Sequence, residues 1–151
     1  MITRNIMGLF DKVMDFIRKQ MVTAEKDNVL VTAINYIVQD FGWTPKKIKF
    51  GADEHEMEYV KPDSPLKELE IEAKRVGSKL YLEFEGELKR GGFLHELLDE
   101  FFDIELGKEV KYHLVLNLHE FVTDDLKLRN EDKLREIIAD YIDKIEEKAR
   151  G

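Results

Sequence analysis

Four histidines and a run of glutamates are the residues of this chain whose types and spacing could do chemistry. His95-Glu-Leu-Leu-Asp99 sets an imidazole and a carboxylate four residues apart, so on a helix they share one face, where they could hold a divalent metal with Glu96 beside them as a base. This spacing points to a metal-dependent hydrolase. It lacks the second histidine of HExxH and names no third ligand, and the plainer reading is a solvated acidic helix face. His113 and His119 fall on the same side of an alternating run but about 20 Å apart along it, too far to share an ion. Either could instead pair with a glutamate from the hairpin if their strand lies beside it, the plainer role. His55, between Glu54 and Glu56, reads as a turn residue with no usable geometry. The chain has no cysteine, so disulfides, thiol nucleophiles and thiolate metal sites are excluded. No GxxxxGK[ST], GxGxxG or GxSxG motif is present, and no cofactor is implied.

The most distinctive pattern is acidic. From Leu66 to Leu88 two alternating runs, Leu69, Ile71, Ala73 and Leu80, Leu82, Phe84, flank Gly77-Ser78, a pair suited to a two-residue II′ turn. Pairing Val76 with Lys79 puts the apolar side chains on one face. It then stacks Glu72 opposite Glu83, Glu70 opposite Glu85 and Glu68 opposite Glu87 on the other. At about 5.5 Å in water each like-charge pair costs about 0.75 kcal/mol before screening, so something is expected to offset it. Lys47, Lys49, Lys111 and His113 are the candidates for internal neutralisation, the favoured reading. The functional reading makes Glu68, Glu70, Glu72, Glu83, Glu85 and Glu87 a docking face for a basic segment of a protein partner. Cross-strand glutamates without a loop of carbonyls make a poor Mg²⁺ or Ca²⁺ site, and no metal is assigned to them.

The elements that must carry these residues follow from periodicity. Ile6, Leu9, Phe10, Val13, Met14, Ile17 and Met21 form one helical stripe, and Val29, Leu30, Ala33, Ile34, Ile37, Val38 and Phe41 a second. Continuing the first helix would rotate the second stripe by about half a turn, so two helices are expected, with Asp27 capping the second. Gly42 and Pro45 end it, and Trp43 folds back onto Val38. Two short strands follow around Ile48–Phe50 and Met57–Tyr59, then a Pro-bounded connection over 61–65 and the central hairpin. A helix is expected from Phe93, then a turn at Gly107-Lys108. A strand with Val110, Tyr112, Leu114, Leu116 and Leu118 inward, a loop over 121–129 and a last helix capped by Asn130 complete the chain.

The order α-α-β-β-β-β-α-β-α describes one α+β domain over 1–151. A mostly antiparallel sheet with a central hairpin at about 68–88 carries amphipathic helices on one face. Residues 1–22, with four basic and two acidic side chains, could dock separately on a membrane surface or partner, although an ordinary core-covering helix is favoured. This order of elements is similar to that of small chaperone-like domains related to type III secretion chaperones, where an N-terminal helix, a β-meander and later helices combine. Charged residues make up 37% of the 151 positions and leave a net charge of -8, which argues against a nucleic-acid surface. Abundant Glu, Lys and Ile without Cys resembles heat-adapted composition. With no secretory or spanning segment at Met1–Phe16, the chain reads as soluble and cytoplasmic. The expected function is a non-enzymatic, chaperone-like protein-binding domain that forms a homo-oligomer. The metal-dependent hydrolase at His95, Glu96 and Asp99 and a peripheral membrane protein are the alternatives.

Overall fold

The structure, a computed structural model, describes residues 8–20, 26–89 and 109–150. Helices α1 (Leu9–Gln20) and α2 (Lys26–Asp40) lead into strands β1 (Thr44–Phe50), β2 (Glu54–Val60), β3 (Leu66–Val76), β4 (Lys79–Leu88) and β5 (Glu109–Asn117), followed by α3 (Leu118–Phe121) and α4 (Glu131–Arg150). The strands form one antiparallel sheet in the order β1-β2-β3-β4-β5. The fold is α+β, and the described elements follow the expected order, with the short helix α3 added after β5. The helix expected from Phe93, the turn at Gly107-Lys108 and the His95, Glu96 and Asp99 site lie outside the described residues. No described helix is long and apolar enough to cross a membrane.

The hairpin register is the expected one: Val76 faces Lys79, Ala73 faces Leu82 and Ile71 faces Phe84. Gly77 has φ +60° while Ser78 has no positive φ, the backbone that a II′ turn needs and that glycine adopts without strain. With register set, the pleat sends Met57, Tyr59, Leu69, Ile71, Leu82 and Phe84 to one face, all but closed to solvent. The helices cover that face. α2 is buried nearly all round, with Val29, Leu30, Ala33, Ile34, Ile37 and Val38 at 0% exposure. α1 packs on α2 through Leu9 and Val13, and α4 lays Leu134, Ile138, Ile142 and Ile145 on α2, β4 and β5. Gly42 takes φ +97° at the end of α2, and the Trp43 N–H donates to the Val38 carbonyl at 3.4 Å, the predicted fold-back.

Three local expectations change. Asp27 does not cap α2. It lies inside the first turn, fully buried, and its carboxylate turns to the sheet instead. The strand expected to reach Leu118 ends at Asn117, whose Oδ1 accepts the His119 N–H at 2.9 Å and caps α3, so the chain turns there. Asn130 stands where α4 starts, and its carbonyl accepts the Leu134 N–H at 3.0 Å. Its backbone is left-handed, with φ +56°, and its side-chain amide donates to the Glu120 carbonyl, so it ties two segments together rather than capping.

Gly86 faces Leu69 and opens the space where α4 crosses the sheet. A Cβ there would meet Ile145 Cγ2 at 2.5 Å and Leu66 Cδ2 at 2.9 Å. Replacing Gly86 by Ala is expected to destabilise the protein by about 1–3 kcal/mol through overpacking, measured as a lower urea midpoint with an unchanged m-value.

Candidate functional site

The face of the sheet turned away from the helices carries rows of charge that no single strand reveals. One row runs Lys47, Glu58, Glu70, Glu85, Lys111 across all five strands, and the next runs Lys49, Glu56, Glu72, Glu83, His113. Glu68, Glu87 and Glu109 make a third row over β3, β4 and β5. At the hairpin-turn end Tyr81 and Val115 stand side by side, each 47% exposed. A shallow hollow of about 440 Å³ lies there, lined by Glu56, Glu72, Glu83 and His113 as well as Tyr81 and Val115.

All six glutamates singled out in the sequence share this face, and they are compensated unequally. Lys111 Nζ lies 3.8 Å from both Glu83 and Glu85, Lys46 3.5 Å from Glu68, and Lys67 3.6 Å from Glu87. Among the described residues no lysine or arginine lies within 4 Å of Glu70 or Glu72. The cause is strand order. β2 lies beside β3 and brings two more acids, Glu56 and Glu58, and Lys47 is occupied by these at 2.7 and 3.8 Å. Lys111 on β5 neutralises as expected, whereas Lys47 serves β2 rather than the hairpin.

The acid–base balance follows this map. Hydrogen bonding to Lys47 holds Glu56 below the usual carboxylate range, and the same bond raises Lys47. Glu58 is raised, first by a hydrogen bond with Glu68 and then by burial. Glu85 is raised by burial and then by Glu109. Glu70 is pushed up to about 8 by burial, a hydrogen bond with Glu72 and the charges of Glu72, Glu85 and Glu58. At neutral pH the centre of the ladder therefore retains a proton that an incoming cation would expel.

Of the three described histidines, His113 is where its strand pattern suggested and His119 and His55 are not. His113 stays on the outer face opposite Glu83, as expected. His119 sits on α3, and Lys26 Nζ donates to its Nδ1 at 2.7 Å while also pairing with Asp124 at 2.7 Å. The two therefore share no face. His55 is no turn residue: it is in β2, on the helix-covered side, 3% exposed, with its ring edge-on to Phe50. Its Nε2–H donates to Asp27 Oδ2 at 3.0 Å, and Arg75 Nε lies 3.3 Å from Asp27 Oδ1. Both the His55 and Asp27 side chains are closed to solvent, so this cluster clamps α2 to β2 and β3 and offers no imidazole to a substrate. The sequence signal for it was the alternation that makes residue 55 inward-facing. Its partners lie 28 and 20 residues away and carry no local pattern. Ser64 and Glu146 form a second buried polar tie, with the hydroxyl donating to the carboxylate at 2.6 Å. Among the described residues no three His, Asp or Glu side chains are grouped to hold a metal ion.

No protein-family model matches the chain, and no curated protein is similar to it in sequence.

Two outcomes follow from these charges. A raised carboxylate pKa stabilises the folded state at low pH, and this is lost as pH climbs from the unfolded value of about 4.5 through about 8. Thermal melts are therefore expected to show Tm falling over that window, and Glu70→Gln should flatten the fall and melt higher than the parent at pH 9. Replacing Asp27 by Asn leaves Arg75 without its counter-ion and is expected to cost about 3 kcal/mol, read by urea denaturation. A loss under 1 kcal/mol would mean that the clamp is not structural.

Proposed function

We propose that this protein is a non-enzymatic, chaperone-like binding domain that holds a basic segment of another protein on the open face of its sheet. The observation that supports this most directly is the state of Glu70. It is flanked by Glu58 and Glu85 along its row, lies beside Glu72 and is raised to about 8, a concentration of carboxyl groups that the fold accommodates by retaining a proton rather than by supplying a lysine or arginine within 4 Å. A lysine or arginine laid over β2 and β3 relieves this repulsion and takes a carboxylate hydrogen bond at the same time. The exposed Tyr81 and Val115 lie next to the acids and offer apolar area to the same segment.

The functional surface is part of a rigid sheet, so binding needs no ordering of the site itself, and its negative field steers cationic segments toward it. Electrostatic recognition of this kind weakens as salt rises, since the interacting groups are partly exposed.

A lysine–serine repeat peptide of eight residues is the direct probe, titrated calorimetrically at pH 7.5 in two buffers of different ionisation enthalpy. Saturable binding with proton release is expected, because a docked cation lowers the pKa of Glu70. Glu70→Gln combined with Glu72→Gln should abolish the release and weaken binding roughly tenfold. Absence of saturable binding at low salt, or binding unaltered by the double substitution, would remove this reading.

A further inference from the structure

The first edge of the sheet carries a feature that the acidic face does not account for. β1 pairs only with β2 among the described residues, and every residue from Thr44 to Lys49 is exposed. Among the described residues nothing pairs with the outward main-chain groups of this seven-residue strand. Lysines and irregularities guard such edges, and Lys46, Lys47, Lys49 and the register shift between Pro45 and Lys47 fit that role. Ile48 does not. It lies on the apolar side of the pleat next to the fully buried Met57, yet it stays 37% exposed.

The charge pattern says what kind of strand would fit. Across the outer face the sign runs cation, three acids, cation, as in Lys47, Glu58, Glu70, Glu85 and Lys111. A strand laid outside β1 meets cations on the outer side and Ile48 on the inner side. We infer that the β1 edge is a docking site for an extended acidic strand of another protein, with one carboxylate facing Lys49, a second beside Lys47, which keeps its pairs with Glu56 and Glu58, and an apolar residue between them covering Ile48. Main-chain hydrogen bonds supply the attachment, and the alternating side chains supply the selectivity. Lys49 has no carboxylate within 4 Å among the described residues, so it can accept one without breaking an existing pair. A second copy of this chain is disfavoured as the occupant. β1 laid antiparallel on β1 about Ile48 sets Lys47 against Lys49, and the opposite edge, β5, presents Lys111 and His113 on the same face.

The test uses the full chain and a labelled, terminally blocked peptide, Ser-Thr-Glu-Val-Glu-Thr-Ser, at low salt. Hydrogen–deuterium exchange and fluorescence anisotropy are read together. The peptide is expected to bind and to slow exchange in β1, while the same peptide with Lys for Glu does neither. Lys49→Glu should weaken the acidic peptide roughly tenfold and improve the basic one. Ile48→Thr, which keeps a β-branched residue in the strand, should weaken the acidic peptide severalfold while leaving the melt unchanged. If neither peptide slows exchange in β1, if both bind equally, or if the protection falls on another strand, the lysines only guard the edge and the inference is overturned. Binding of basic peptides to the acidic face is read separately by Glu70→Gln and Glu72→Gln, so either surface can fail without the other.

Discussion

The two-residue turn at Gly77-Ser78 sets the sheet, because a slip of one residue there would exchange the two faces of the hairpin. Gly77 takes the positive φ that a tight turn joining right-twisted strands demands. Val76 then meets Lys79, and every pair along the hairpin is determined back to Glu68 and Glu87. β2 and β5 extend the same alternation on either side. Ten of the outer-face side chains therefore fall into two straight rows, and the apolar residues fall into the core.

What covers that core is a helix layer centred on α2, which has little polar surface of its own. A helix so thoroughly buried must be oriented by specific ties as well as by apolar contact. Asp27 provides one at its start, reaching His55 and Arg75 on neighbouring strands. Asn35 provides another, accepting the Tyr59 hydroxyl at 2.7 Å in the interior. At the other end of the sheet the missing side chain of Gly86 lets Ile145 of α4 approach the backbone, so close packing replaces a polar tie.

Charge is distributed by position in the sheet rather than evenly. In the two five-residue rows the three central strands contribute glutamates and the two edges contribute lysine or histidine, which leaves Lys47 and Lys111 able to relieve only the acids nearest them. Acids accumulate over β2 and β3, where a hydrogen bond with Glu68 and burial raise Glu58, burial and a hydrogen bond with Glu72 raise Glu70, and the neighbouring negative charges add to both. The same arrangement leaves cations on β1, so the open face and the open edge present opposite signs to their surroundings.

By itself the sequence determined the α+β class, the order of elements, the hairpin register and the six glutamates on its polar side. These depend on local periodicity and turn chemistry, which act over a few residues and are written where they act. Only the tertiary structure decided which strand lies beside β3, and hence that Glu56 and Glu58, not lysines, flank Glu70 and Glu72. It also decided the fate of His55, Asp27 and Arg75, whose meeting depends on how a helix crosses a sheet. No short-range pattern encodes that crossing, because it is selected by the packing of the whole core.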